Sequence, residues 1–149
     1  KFDVTSMRYH SQVDLDRIKV LNCSDPSSAS LEVLEFKTLP FVPKRIYWIS
    51  DFVSGTTRGN HAHKNLNQLM LLIRGSIELK IYLGNYSKTY FLNRSTESVL
   101  VPAGHWRVMQ NASSDAIMLV IADQEYDELD YIRDWQEYLT WHLNQNNEC

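Results

Sequence analysis

Between Leu31 and Asp123 the chain is a succession of short apolar or alternating runs, each too brief for a stable helix and each closed by turn residues. They are Leu31 to Phe36, Arg45 to Ser50, Leu69 to Ile73, Ile77 to Leu83, Thr89 to Leu92, Val99 to Val101 and Ala116 to Ala122. Such spacing predicts an all-β domain, an antiparallel sandwich or barrel. Arg74-Gly75-Ser76 and Gly84-Asn85 are candidate tight hairpins and Asn93 to Glu97 a longer loop, so strand pairing there is expected to follow chain order. Past Tyr126 the period changes. Tyr131, Ile132, Trp135, Tyr138, Leu139 and His142 recur at helical spacing behind the candidate caps Asp127 and Asp130, which predicts a C-terminal helix packed across the sheets or against a neighbouring molecule.

Residues 1–30 read as an N-terminal extension, polar from Asn22 to Ser30, and residues 31–149 as one β domain ended by the helix. Residue 1 is Lys and the first Met is Met7, so the leading segment is expected to be a tag remnant or the cut edge of a longer polypeptide. At 149 residues the domain can bury a core without disulfide staples. A formal charge of -3 without basic runs argues against nucleic acid or an anionic membrane as partner. No apolar run approaches the roughly eighteen residues of a membrane span. Two cysteines, Cys23 and Cys149, form neither a disulfide framework nor a paired metal motif, which favours a reducing cytoplasm.

The chemistry concentrates in one segment. Gly55 is followed after five residues by His61-Ala62-His63, after four more by Gln68, and after six more by Gly75. Downstream stand Pro102-Ala103-Gly104-His105-Trp106-Arg107 and, four places on, Asn111. These spacings resemble the two metal-binding signatures of a cupin, a double-stranded β-helix or jelly-roll barrel, with two ligands altered. An amide, Gln68, replaces the carboxylate, and Arg107 stands in the slot of the last histidine. An arginine cannot ligate and an amide offers only a weak neutral oxygen, so neither a metal nor another cofactor is expected. In an extended segment His61 and His63 project to the same side. An arbitrary pair so spaced would place one ring in the core and one on the surface; the flanking spacing argues for both in the barrel mouth. With an ordinary pKa near 6.5, paired imidazoles suit moving a proton off and back onto carbon. Arg107, Gln68 or a tyrosine hydroxyl could stabilise the enolate oxygen, so isomerisation or epimerisation is the expected reaction type. Arg58 reads either as a phosphate ligand or as an exposed solubilising residue. Trp48, Trp106 and Tyr47 read either as stacking faces for a sugar or base or as ordinary core aromatics.

The runs Pro40-Phe41-Val42-Pro43-Lys44-Arg45-Ile46-Tyr47-Trp48-Ile49, Arg58-Gly59-Asn60-His61-Ala62-His63-Lys64 and Tyr126-Asp127-Glu128-Leu129-Asp130-Tyr131-Ile132-Arg133, with Gln68, closely resemble the sugar nucleotide 3,4-ketoisomerases over residues 31 to 140. The resemblance implies an isomerase, a metal-free cupin acting on dTDP-4-keto-6-deoxy-D-glucose. It would move the keto group from carbon 4 to carbon 3 through an enediol and feed deoxyamino sugar synthesis for O-antigen and lipopolysaccharide. It assigns acid–base roles to His61 and His63, with Tyr47 in the same pocket, and sets Arg58, Asn60, Lys64, Gln68, Trp106 and Arg107 around the substrate. It also implies a strand-exchanged homodimer, the N-terminal segment being the candidate for exchange, and allows a bifunctional parent polypeptide. Some relatives carry Arg-Gly where this chain has Ser27-Ser28-Ala29, so a substrate contact from that loop is expected to be missing. Members differ in carrying histidine or arginine at the Arg107 position. Arginine is too basic to give up a proton to carbon 4, so retention there, and a gluco-configured product, is expected. The competing readings are a metal-dependent cupin oxygenase or isomerase, and a non-catalytic sugar nucleotide-binding domain.

Overall fold

The computed structural model describes residues 13–93 and 98–147. Within them run β1 (Leu21–Asn22), β2 (Glu32–Val33), β3 (Arg45–Ile49), β4 (Arg58–His63), β5 (Gln68–Arg74), β6 (Ile77–Leu83), β7 (Tyr86–Leu92), β8 (Ser98–Val101), β9 (Trp106–Gln110), β10 (Ile117–Ala122), β11 (Tyr131–Ile132) and α1 (Trp135–Asn147). One antiparallel sheet has the order β3-β10-β5-β8 and a second the order β11-β4-β9-β6-β7. Met70, Leu72, Val99, Met118 and Val120 of the first interleave with Ile77, Leu79, Ile81, Tyr90 and Met109 of the second in a single apolar cluster. Two antiparallel sheets sharing one core, followed by one C-terminal helix, are the sandwich that the run lengths predict and the jelly roll that the cupin-like signatures imply.

Burial follows from what covers each sheet's outer face. In β6 the buried Ile77, Leu79 and Ile81 alternate with half-buried Glu78 and Lys80, as in a strand with one face packed. β5 is different: Gln68 to Leu72 are all buried. Their outward partners, Leu69 and Leu71, sit with Leu100 and Ile121 beneath Ile18, Val20, Leu34, Leu39 and Phe41. The chain ahead of β3 thus coats this sheet, and the continuous apolar run replaces alternation because both faces are dry. Residues before β1 are tied down as well. The Tyr90 hydroxyl donates to the Val13 carbonyl and accepts the Leu15 N–H, and Leu100 N–H donates to the Asp16 carbonyl. The second sheet's outer face is covered by α1, where Ala62, Trp106 and Ile132 pack with Tyr138 against Trp135 and Leu139.

Several expectations are corrected. The run Leu31 to Phe36 supplies only the two residues of β2, which pair with β1 outside both main sheets, before a 3-10 turn at Phe36–Thr38. Arg74-Gly75-Ser76 is no hairpin: Gly75, at φ 79, carries the chain from one sheet to the other. Chain-order pairing therefore holds for β6 with β7, joined at Gly84-Asn85, while β5 spends its edges on β10 and β8. Tyr131 and Ile132 form a strand on β4 rather than the first turn of the helix. α1 is capped by Asp134, whose carboxylate accepts the Glu137 N–H; Asp127 caps the preceding 3-10 turn and Asp130 points into the barrel mouth. The expected loop from Asn93 to Glu97 lies, after its first residue, outside the described residues, as do residues 1–12 of the predicted extension. No helix among the described residues is long and apolar enough to cross a membrane.

Candidate active site

The register of β4 against β9 decides what meets in the barrel mouth. Gly59 pairs with Val108 and His61 with Arg107, leaving Asn60 as an extra residue looped out of the ladder. The bulge takes two successive left-handed residues, Gly59 at φ 86 and Asn60 at φ 53. Asparagine tolerates that conformation, whereas at position 59 a Cβ would also lie 2.8 Å from the Arg107 carbonyl oxygen. Glycine here lets the two strands close on each other and places His61 directly across from Arg107.

A cleft of about 560 Å³ opens at this point, lined by Tyr47, Arg58, Asn60, His61, Gln68 and Arg107. Arg45, Trp48, Tyr131 and Arg133 line it as well. Arg107 is 1% exposed and still a cation at neutral pH, although burial pulls its pKa from the usual 12.5 to about 10. Its Nη1 donates to the Gln68 carboxamide oxygen and its Nη2 to the His105 carbonyl at 2.8 Å, both neutral, while its Nε has no partner among the described residues. Gln68 passes the polarity on, its Nε2 donating to the Tyr47 hydroxyl at 2.7 Å. Burial raises the Tyr47 pKa, and the Arg107 charge works against that.

The histidines sit edge to face at 4.9 Å between ring centroids, with Nε2 of one 3.2 Å from Nε2 of the other. His61 Nδ1 lies 2.9 Å from the Gly59 carbonyl, and His63 Nδ1 lies 2.9 Å from Asp130 Oδ2. Tyr131 packs against both rings, tilted at 4.9 Å from His61 and edge-on at 4.3 Å from His63. Burial, then the Arg107 charge, lowers the pKa of His61, and the same two causes lower that of His63. His61 reaches the cleft; His63, fully buried, stands behind it.

The residues of the altered cupin signatures do not fit a metal. Gln68 has its oxygen taken by a guanidinium, Arg107 places fixed positive charge at the fourth ligand position, and the two imidazole Nε2 atoms face each other rather than a common point.

Of the residues singled out from the sequence, the cleft brings together Tyr47, Arg58, Asn60, His61, Gln68 and Arg107. Lys64 and Trp106 lie outside it. Lys64 Nζ donates to the Leu129 carbonyl at 3.1 Å, and Trp106, next to inward-facing Arg107, faces the other way, against Trp135 and Tyr138. Sequence reasoning missed Asp130 as a partner of His63, and Arg45, Tyr131 and Arg133 as lining residues. The run Tyr126 to Arg133 carries that signal, two tyrosines and a terminal arginine around acidic residues, but it enters the sequence reading only as a mark of the family and as a source of helix caps.

The chain matches the family model described as "FdtA: WxcM-like, C-terminal" over residues 12–142. It is 34% identical over 123 residues to the TDP-4-oxo-6-deoxy-alpha-D-glucose-3,4-oxoisomerase of Aneurinibacillus thermoaerophilus, covering 80% of this chain and 88% of the relative. Among solved structures it is similar to a 3,4-ketoisomerase from Helicobacter canadensis, with TM-score 0.82, 37% identity and coverage of 87% of this chain and 98% of that one. It is also similar to QdtA, a sugar 3,4-ketoisomerase from Thermoanaerobacterium thermosaccharolyticum solved in complex with TDP, with TM-score 0.84, 28% identity and coverage of 89% and 97%. With the family model spanning most of the chain and the jelly roll superposing on these enzymes, the chain is an isomerase that belongs to the FdtA family of sugar nucleotide 3,4-ketoisomerases.

Proposed function

We propose that this protein converts dTDP-4-keto-6-deoxy-D-glucose to the dTDP-3-keto-6-deoxy sugar, with His61 as the group that removes and returns the carbon-bound proton. The observation that carries this reading is the placement of His61 opposite Arg107, in a cleft floored by Gln68 and Tyr47. A base held next to a buried cation and two neutral hydrogen-bonding groups is what proton transfer beside a carbonyl requires: one group takes the proton while the others hold the oxygens of the enediol. Among the described residues Arg107 has no carboxylate hydrogen-bond partner, so its charge is available to a developing oxyanion. Arg45, Arg58 and Arg133 surround the same cleft and supply the positive potential a nucleotide diphosphate needs. Trp48, 68% exposed at the cleft, offers a stacking face to a base or sugar.

Arg107 stays protonated through the reaction, so the proton reaching carbon 4 comes from the face on which His61 lies, giving the gluco configuration. The protein acts as a homodimer. β3 has a free edge among the described residues and carries the exposed Ile46, an edge that a second copy would cover. The exposed thiol of Cys23 supports a reducing, cytoplasmic setting.

Incubation with the dTDP-4-keto sugar in heavy water, read by proton NMR, tests the assignment. The expected product is a 3-keto sugar of gluco configuration that incorporates solvent deuterium, and His61→Asn should abolish both turnover and exchange. A galacto product would reject the role given to Arg107, undiminished exchange in His61→Asn would reject His61, and binding without turnover would leave a sugar nucleotide-binding domain.

A further inference from the structure

The protons in the histidine array can be counted. A carbonyl only accepts, so His61 Nδ1, 2.9 Å from the Gly59 oxygen, carries a proton. Asp130 Oδ1 accepts the Asn65 N–H at 2.7 Å, and Oδ2 faces His63 Nδ1 at 2.9 Å; an ionised carboxylate only accepts, so that nitrogen is protonated too. Two neutral rings have then used both their protons, and two Nε2 lone pairs would point at each other across 3.2 Å. One more proton between them converts that repulsion into a charge-assisted hydrogen bond.

We propose that His61 and His63 share a single proton between their Nε2 atoms in the resting protein, and that Asp130 is the positioning residue that sets this state by balancing its charge. The inference adds to the reading above, in which His61 is the base. The pair faces Arg107 from β9, Arg45 from β3 and Arg133 from the segment after β11, with the Tyr131 ring packed against both imidazoles. Glu128 also acts on His61, but its carboxylate is engaged by Arg133. Burial and the three guanidinium groups alone would leave both rings neutral. Asp130, 5% exposed and in direct contact with His63, outweighs them at short range, because a buried charge-assisted hydrogen bond is stronger than interactions with cations farther off. The same cations keep the pair from gaining a second charge.

When the shared proton rests on His63 Nε2, His61 Nε2 is the one nitrogen of the pair with a lone pair to offer the substrate. In the forward half of the reaction His61 Nε2 takes the proton from carbon 3 and passes it to the oxygen on carbon 4. In the second half it takes the proton from the oxygen on carbon 3 and delivers it to carbon 4. The charge of the pair is the same at the start and the end of each half. His63, outside the cleft, takes part through His61.

The test is nitrogen-15 NMR of the full chain labelled at histidine, at neutral pH, with the two rings assigned by their loss in His61→Asn and His63→Asn. The expected result is three protonated nitrogens in the pair, Nδ1 of each ring and one proton shared between the Nε2 atoms. In Asp130→Asn the Asn65 N–H holds the new carboxamide oxygen, so its amino group faces His63, drives that ring to the Nε2–H tautomer and lowers the count to two. The kcat of the variant should fall by roughly 10²–10⁴-fold, the range of a positioned acid–base group. Its KM should change by less than about threefold, because Asp130 does not line the cleft. Two lone-pair Nε2 signals in the wild type would overturn the proposal, and that measurement decides it even if the variant does not fold. A folded variant with unchanged kcat and raised KM would overturn the positioning role. Active enzyme with only two ring protons would sink the shared proton but not the ketoisomerase reading, while three protons in a protein without turnover would do the reverse.

Discussion

Replacing Arg107 by methionine should separate what this residue costs the fold from what it does for the reaction. Burial holds the guanidinium at a pKa of about 10 against 12.5 in the unfolded chain. At 1.36 kcal/mol for each pKa unit, keeping it charged in the folded state costs about 3 kcal/mol at neutral pH. Methionine removes that cost and fills a similar volume with apolar atoms. Against this, the Gln68 carboxamide oxygen and the His105 carbonyl lose their donor. A buried acceptor left unpaired costs about 1–3 kcal/mol, so the two together cost about 2–6. The opposing effects nearly cancel, and Arg107→Met should leave folding stability within about 3 kcal/mol of the wild type, measured by guanidinium chloride unfolding with an unchanged slope. Turnover should fall by at least about 100-fold, as expected for removal of a preorganised oxyanion donor. Destabilisation beyond about 4 kcal/mol, or activity within tenfold of wild type, would refute the view that this buried cation is kept for chemistry.

Gly59→Ala should destabilise the fold by about 2 kcal/mol and lower turnover, because its Cβ meets the Arg107 carbonyl at 2.8 Å on a backbone at φ 86; thermal unfolding and initial rates check both. His105, 6% exposed and held by burial at a pKa of about 4 against 6.5 in the unfolded chain, contributes stability that is present above pH 6.5 and lost as pH falls toward 4. Between pH 7 and pH 5 it should account for about 2 kcal/mol of destabilisation, and His105→Gln should flatten that part of the stability profile. The Tyr138 hydroxyl accepts the Gly84 N–H and donates to the Gly104 carbonyl, each at 3.0 Å, so Tyr138→Phe should cost about 2–4 kcal/mol in denaturant unfolding while leaving kcat near wild type.

The sheets were legible where alternation or a long apolar run marked them, as in β5, β6 and β10. β4 and β9 were not among the expected runs. Arg58, Gly59 and Asn60 have no strand signature, and Arg107 interrupts the apolar pattern of β9 because it faces a polar cleft rather than the core. The hairpin expected at Gly75 failed because a glycine turn looks the same whether it returns a strand to its own sheet or sends it to the other. Local spacing cannot report which edges β10 and β8 have already taken. The site divides in the same way. His61, Gln68 and Arg107 were visible in the spacing of the altered signatures. Asp130 was read as a cap because aspartate before an aromatic run is a common helix start; its link to His63 depends on a strand of two residues that periodicity does not detect. Trp106 reads from the sequence either as a stacking face or as a core aromatic; facing opposite to its neighbour Arg107, it packs against α1.

β11 is attached to β4 through two residue pairs, Tyr131 with His63 and Ile132 with Ala62, and Asp130 immediately precedes it. A clip so short, at the edge of the second sheet, can open while β4-β9-β6-β7 and the first sheet stay paired. Peeling of the C-terminal tail would take the carboxylate away from the imidazoles and unstack Tyr131 while the barrel stays intact. On warming, inactivation should therefore run ahead of melting, and amide exchange at Tyr131 and Ile132 should rise in step with lost turnover rather than with loss of the core.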